Sequence, residues 1–371
     1  MEYTICKRCV MDTSDPTITF DSKGICNYCL EFDERNHIYR FTKDQEKENL
    51  GFIYDQIVKR SKKSKSDYDL IVGMSGGVDS SYTCHLAKKM GLKALCLHFD
   101  NGWNSDIAVT NIKNLVDKCD FELLTVVMDW FEFKDIQRSF FKAGVIDIEL
   151  VTDNAIFASA IKESKKYNIK SWFSGSNFIT EHGMPMAWVW HKQDYVNIID
   201  IHKKFGSLPK IENLPLYGLH TYALIRAFGW GGLKQFKVLD QINYSSRRAR
   251  KELEEGYGWK SYGAKHEESV FTRFYQNYVL PVKFGIDKRR SHLSTEVRNG
   301  DLTRKEAIEI VNTKFTESNH SKRDKEYVLK KLDFSEIEFD QMMMDSPVPH
   351  DFYKNNKLTF DLYSKLYKFL S

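Results

Sequence analysis

The chain has 371 residues, 42% apolar and 29% charged, a balance that suits a folded globular protein and excludes a low-complexity or collagen-like polymer. Its 55 Lys and Arg against 51 Asp and Glu leave a formal net charge of +4, too weak a field over this length to be the footprint of a nucleic-acid binder. The length calls for a main core with one or two appendages. No stretch nears 18 consecutive apolar residues, and the first nine residues lack the apolar run of a secretory signal, so no membrane insertion and a cytoplasmic location are expected.

Four of the seven cysteines fall within the first 29 residues, as Cys6-x2-Cys9 and Cys26-x2-Cys29. Each C-x2-C pair can bend around one edge of a tetrahedron, so Cys6, Cys9, Cys26 and Cys29 are expected to hold Zn²⁺, or iron with the same ligands. Four thiolates close the metal's shell and leave no position for substrate. The expected role is therefore structural, pinning residues 1–40, a segment too short for a core of its own. Leu50, Ile53, Tyr54 and Ile57 recur at helical spacing and predict a helix from about 41 to 60, closed by the Ser/Lys connector at 61–66.

Asp69–Met74 reads as a strand, followed by a Gly-rich turn and a helix from Val78 to Met90. A second strand, Lys93–Phe99, turns at Asp100-Asn101-Gly102 into a helix over 105–118, and a third runs from Glu122 to Met128. A helix around 153–167 then leads to a short buried strand, Ser171–Phe173, ending at Ser174-Gly175-Ser176-Asn177. This alternation predicts an α/β fold with a mainly parallel, doubly wound sheet, assigned to residues 67–200. Beyond it the pattern becomes aromatic and helical (Trp188, Trp190, Tyr195, Phe205, Trp230). Residues 201–371 are expected to be mostly helical and to contribute to the substrate site, with Gly300 closing one helix and Thr303-x-x-Glu306 capping the next.

The sharpest chemical signal is Ser75-Gly76-Gly77-Val78-Asp79-Ser80-Ser81, between predicted strand and predicted helix. Glycines at 76 and 77 let backbone amides approach a polyanion, the helix N-terminus favours negative charge, and Ser75, Ser80 and Ser81 add hydroxyl donors. The Walker lysine is missing, which excludes that ATPase class. Asp79, an anion among phosphates, makes sense if Mg²⁺ bridges it to them.

The loop resembles the S-G-G-x-D-S signature of the PP-loop ATP pyrophosphatases, the adenine nucleotide alpha hydrolase-like superfamily. The resemblance implies cleavage of ATP to AMP and pyrophosphate, with Asp100 near the adenosine and Gly175 and Asn177 closing the nucleotide site. The segments Tyr262–Ser269 and Lys283–Arg290 read alone either as cations set toward a phosphate site or as a solvated charged face over Phe271, Phe274 and Tyr278. Taken in order with the loop, Met184–Trp188 and the N-terminal cysteines, they resemble the N-acetyl sugar amidotransferases of the WbpG and PseA type. That family converts an acetamido sugar to its acetamidino form with ATP and ammonia. Asp79, Lys265 and Arg273 are expected to be catalytic, and Glu268, Lys288 and Arg289 to contact phosphate or sugar; the resemblance implies a separate glutaminase like that of imidazole glycerol phosphate synthase, with a cyclase-like subunit as ammonia channel.

Position 2 holds Glu2, where an N-terminal-nucleophile glutaminase needs cysteine, and Cys84, Cys96 and Cys119 read as packing residues. The alternative is a tRNA-modifying PP-loop enzyme, a thiolation enzyme or a lysidine synthase, for which a strongly basic face or paired cysteines after the loop would speak.

Overall fold

The computed structural model describes residues 2–228, 232–263, 265–313 and 319–370; Trp230 lies outside them. Its centre is a five-stranded sheet of β1 (Leu70–Met74), β2 (Ala94–Asp100), β3 (Glu122–Val127), β4 (Ser171–Phe173) and β5 (Lys234–Phe236). Every pairing is parallel and the spatial order is β3-β2-β1-β4-β5. Parallel strands need helical crossovers, which cover both faces, so the central strands must be apolar on both sides. Leu70, Ile71 and Val72 of β1 are all fully buried. Leu70 and Val72 pack with Cys84, Leu86, Cys96 and Leu115, and Ile71 packs with Leu95, Ala160 and Trp172 on the opposite face.

Winding runs outward from β1 to β3 on one side and through β4 to β5 on the other. The topological switch between β1 and β4 leaves a crevice at the carboxyl ends of the strands, where ligands of open α/β sheets bind. The loop after β1 and the turn after β4 meet there: a Cβ on Gly175 would lie 3.2 Å from the Ser80 amide.

Two boundaries differ from the sequence-based expectation. The helix spans Lys43–Ser64, with a Thr42/Gln45 capping box and Lys65 as its left-handed cap, so most of the expected connector is helical. Thr42 and the acidic first turn start this helix, and Lys62 and Lys63 suit its C-terminal dipole. The sheet also continues past residue 200. Strand β5 comes from 234–236, and the Ser246–Tyr257 helix returns to the Val78–Lys89 helix, where Tyr82 donates to Glu252 at 2.8 Å. A three-residue strand in a polar, aromatic stretch carries too short a pattern to be read as one.

Among the described residues the rest of the second half is mostly helical. Val270–Phe274 runs into a π-helical stretch, Tyr275–Phe284, then helices Arg289–Asn299, ended by Gly300 at φ 83°, and Arg304–Val311, opened by the Thr303/Glu306 capping box. Phe271 and Phe274 are buried, and Phe274 stacks on Tyr278 with centroids 5.5 Å apart. Among the described residues no helix is long and apolar enough to cross a membrane.

Gly76 shows what the crevice demands of its loop. Its φ is 83°, a Cβ there would lie 2.7 Å from the Ala108 carbonyl oxygen, and its own carbonyl accepts from Trp259 Nε1 at 3.2 Å. Gly76→Ala therefore meets both a left-handed backbone and an immovable neighbour. It should lower stability by at least about 1–3 kcal/mol, measured as a reduced urea midpoint at unchanged m-value.

Candidate nucleotide site and metal centre

The Val78–Lys89 helix begins at the crevice with Gly77 as its N-cap and no side-chain cap. The amide of Gly77 donates to Ser75 Oγ and that of Val78 to Tyr262 Oη, each at 3.2 Å. Both partners are neutral hydroxyls that a phosphate oxygen can replace at an electropositive helix start. Ser75 Oγ also lies 3.0 Å from Ser80 Oγ. These residues line a cavity of about 410 Å³, with Gly175 on one side and Tyr262, Lys265 and Glu268 on another. An apolar end of the same cavity is formed by Leu97, Ile156, Ala160 and Trp172. Phosphate-binding hydroxyls and amides beside an apolar slot fit a nucleotide.

Asp79 is held by three side chains. Its Oδ1 accepts from Tyr244 Oη at 2.5 Å, and its Oδ2 accepts from Thr180 Oγ1 at 3.1 Å and pairs with Lys265 Nζ at 3.1 Å. Burial opposes its charge, but Lys265 and these hydrogen bonds outweigh it and hold the carboxyl below its ordinary value. Lys265 is raised above its own ordinary value: burial works against it, and Asp79 and Glu181, the latter 3.8 Å away, prevail. The cation expected beside Asp79 is thus supplied by the chain itself. Two carboxylates converging on one positive charge also suit a hard metal ion, which there would have to displace the lysine.

Glu268 enters from the other side of the loop. Its Oε1 accepts from Ser75 Oγ at 3.2 Å, its Oε2 is buried without a partner, and burial raises the carboxyl to about 7. An antiparallel bridge holds it in place: the Ser105 amide donates to the Glu268 carbonyl at 2.9 Å and the Val270 amide to the Trp103 carbonyl at 2.8 Å. His266 and His292 face each other with ring centroids 5.2 Å apart. Burial first, with Lys265 and Lys288 adding to it, lowers His266 to about 3 and His292 well below the usual imidazole value. Both rings stay neutral at physiological pH, and the cavity's positive charge rests on Lys265, Lys288 and Arg250.

The structure brings together Ser75, Gly77, Asp79, Ser80, Gly175, Lys265, Glu268 and Lys288 around one cavity. Other expected residues sit elsewhere. Ser81 is fully buried outside the cavity lining. Gly76 acts through its backbone turn. Asp100 accepts from the Gly102 amide at 2.8 Å and from Asn104 at 3.2 Å, shaping the turn from which Asn101 and Asn104 reach the cavity. Asn177 caps the Thr180 amide at 2.9 Å and so orients the hydroxyl that meets Asp79. Arg273 is held by Asp324 at 2.6 and 2.8 Å. Arg289 is held by Asp287 at 2.7 Å and by carbonyls of Ile310, Val311 and Thr313. Neither arginine lines the cavity, because each satisfies its fork locally.

Thr180, Glu181, Tyr244 and His292 were not singled out from the sequence, and Tyr262 and His266 entered only as part of the Tyr262–Ser269 segment, without a role at the site. Of the four, Glu181 alone offered a signal, as an acidic residue just past the β4 turn.

The four N-terminal cysteines are fully buried and their sulfurs lie within 4.8 Å of one another, with Cys9 to Cys26 at 3.7 Å and Cys6 to Cys29 at 4.0 Å. A tetrahedral Zn²⁺ with bonds of about 2.3 Å spaces its sulfurs by about 3.8 Å, so the donor set fits that ion. Amides of Arg8, Cys9 and Cys26 point at Cys6 Sγ at 3.3 to 3.5 Å, as expected around a thiolate ligand. The segment is docked to the C-terminal half. Arg304 donates to the Cys6 and Cys9 carbonyls, Arg290 pairs with Asp12 at 2.9 Å, and Ser294 Oγ accepts from the Val10 amide at 3.1 Å. The Arg289–Asn299 helix that carries Arg290 and Ser294 also presents His292, Thr295 and Glu296 to the cavity.

Residues 268–367 match the family model described as LPS biosynthesis protein WbpG-like, C-terminal domain, and the chain carries that domain, as its resemblance implied. Among solved structures, NMN synthetase from Francisella tularensis is 15% identical, covering 61% of this chain and 100% of its own, at a TM-score of 0.31. NH3-dependent NAD synthetase from Campylobacter jejuni is 16% identical over 57% of this chain and 83% of its own, also at 0.31. NAD+ synthetase from Burkholderia pseudomallei is 16% identical over 67% and 91%, at 0.28. At these values the likeness bears on neither substrate nor reaction. No curated protein matches the chain.

Two outcomes follow from this geometry. Elemental analysis should find one Zn²⁺ per chain, and Cys26→Ser or chelation should lower thermal stability and, through the shared helix, nucleotide affinity. Lys265→Met leaves Asp79 without its counter-charge. It should lose ATP consumption and about 2–3 kcal/mol of stability, less than for a fully enclosed pair, read by product assay and urea titration.

Proposed function

We propose that this protein is an ATP-dependent amidotransferase that converts the acetamido group of a sugar or nucleotide sugar to an acetamidino group, in the synthesis of surface polysaccharide or flagellar sugars. The observation that carries this is where the WbpG-like segment begins. Glu268, its first residue, reaches Ser75 of the phosphate loop at 3.2 Å, and Lys288, His292 and Glu296 of the same segment line the cavity. A domain of that kind facing a nucleotide loop supports a shared site for ATP and acceptor.

In the proposed reaction the acetamido oxygen attacks the α-phosphorus of ATP and pyrophosphate leaves. Ammonia then adds to the resulting O-adenylyl imidate carbon, a proton is lost, and AMP departs with the former amide oxygen. The step is favourable because an amide oxygen leaves poorly until it is adenylated. Ser75, Ser80 and the Gly77 and Val78 amides would hold the phosphates, and Lys265 and Lys288 would offset charge that develops at the reacting centre.

Ammonia comes, in this reading, from a separate glutaminase like that of imidazole glycerol phosphate synthase, with a cyclase-like subunit as channel. Docked delivery would protect the imidate from water. The remaining cysteines, Cys84, Cys96 and Cys119, are fully buried in the core, which supports the absence of a glutaminase nucleophile among them.

The test is incubation with MgATP, an ammonium salt and a panel of acetamido sugars and their nucleotide derivatives. AMP, pyrophosphate and an amidine product, identified by mass spectrometry, should form only when an acceptor is present. Glutamine alone should not replace ammonium. Release of ADP and orthophosphate, or AMP without any acceptor, would contradict this reading.

A further inference from the structure

Six carboxylates line the cavity: Asp79, Glu149, Asp153, Glu181, Glu268 and Glu296. Four have a cation. Asp79 and Glu181 share Lys265, Asp153 meets Lys192 at 2.8 Å, and Glu296 meets Arg250 at 3.6 Å. Glu149 accepts the Thr272 hydroxyl at 2.5 Å. Glu268 is different: it is 9% exposed, its Oε2 has no hydrogen-bond partner, and it has no ion pair among the described residues. It is also the carboxylate that sits on the phosphate loop, with Oε1 3.2 Å from Ser75 Oγ and only 2.8 Å from where a Cβ on Gly77 would stand.

A bare carboxylate in that place opposes the loop's own chemistry. Two unit charges of like sign about 4 Å apart repel by about 4 kcal/mol at the effective dielectric of a partly buried site. Burial raises the Glu268 carboxyl to about 7, so near neutral pH it meets a bound phosphate chain either protonated or, once ionised, with a positive charge between them. Lys265 is already committed to Asp79 and Glu181, and Lys288, which also lines the cavity, makes no ion pair with Glu268 among the described residues. A hard divalent cation that keeps most of its waters needs only one or two protein carboxylates beside substrate phosphates.

We propose that Glu268 Oε2 is a protein ligand of a divalent cation, magnesium in the cell, which enters with the phosphate chain and joins that carboxylate to phosphate oxygens at the loop. Glu268 thereby takes the role that the loop's acidic position, Asp79, suggests from sequence. The assignment rests on the ATP half of the proposed function and is independent of its sugar and nitrogen chemistry.

The experiment uses Mn²⁺ as a paramagnetic probe and α,β-methylene-ATP, which cannot be cleaved between its α- and β-phosphorus. The full chain, Glu268→Gln and Glu268→Asp are compared by electron paramagnetic resonance titration of Mn²⁺, with nucleotide affinity measured separately in excess chelator, and with thermal unfolding as the folding control. Glu268→Gln should weaken Mn²⁺ binding in the presence of the analogue by about 10-fold or more. In chelator it should bind the analogue as well as or better than wild type, because the repulsion is gone; a purely structural role would not produce that split.

Glu268→Asp, which keeps the charge and retracts it by one methylene, should show an intermediate loss, and it carries the test should the Gln variant fail to fold. Unchanged Mn²⁺ affinity in both variants overturns the proposal, as does parallel weakening of metal-free nucleotide binding. A wild type that binds neither Mn²⁺ nor the analogue overturns this proposal together with the ATP reading. A wild type that binds both but forms no amidine defeats only the amidotransferase reading.

Discussion

Lys265 Nζ stands 3.1 Å from Asp79 Oδ2, and the geometry of the site depends on that contact. An ionised carboxylate out of water is costly unless it is paired and hydrogen-bonded. Here four stretches of chain meet the requirement together: the first turn after β1 with Asp79, the turn after β4 with Thr180, the segment before the Ser246–Tyr257 helix with Tyr244, and the Tyr262–Ser269 segment with Lys265. None can move alone without leaving a buried charge unmatched. The phosphate loop and the second half of the chain are therefore fixed to each other by electrostatics as well as by packing.

Charge within the cavity is distributed by the same logic. His266 and His292, buried beside Lys265 and Lys288, remain neutral, so the cavity's positive charge belongs to Lys265, Lys288 and Arg250 and does not vary between pH 6 and 8 through imidazole titration. Asp79 is kept ionised by its partners while Glu268, lacking them, is pushed up to about 7. Two carboxyl groups flanking one loop thus differ because of their neighbours, not their chemistry. The Arg289–Asn299 helix joins this cavity to the four-cysteine centre. Ser294 and Arg290 hold the N-terminal segment, while His292, Thr295 and Glu296 face the cavity.

The parallel sheet, the phosphate loop and the four-cysteine cluster were legible from sequence for separate reasons. Apolar runs such as Asp69–Met74 followed by a glycine turn report a doubly buried strand directly. The C-x2-C pairs and the Ser75–Ser81 loop are local motifs whose chemistry lies in adjacent residues. The Thr303/Glu306 capping box and the Gly300 stop were likewise contained within a few residues. Strand β5 was not legible: three residues with one buried side chain make no period, and only pairing with β4 makes them a strand.

Sequence by itself determined the fold class, the glycine- and serine-rich loop at a helix start and the four clustered thiols, because each is written in spacing along the chain. Tertiary structure alone decided which charged residues of the second half face the loop. Lys265, Arg273, Lys288 and Arg289 look alike as cations in sequence. Arg273 is satisfied by Asp324 and Arg289 by Asp287 and helix-end carbonyls, whereas Lys265 meets Asp79 and Lys288 borders the cavity. The difference is one of partners distant in sequence: Arg273 and Arg289 are spent on carboxylates outside the cavity, whereas the carboxylates that Lys265 meets line it too, and that depends on how the chain packs.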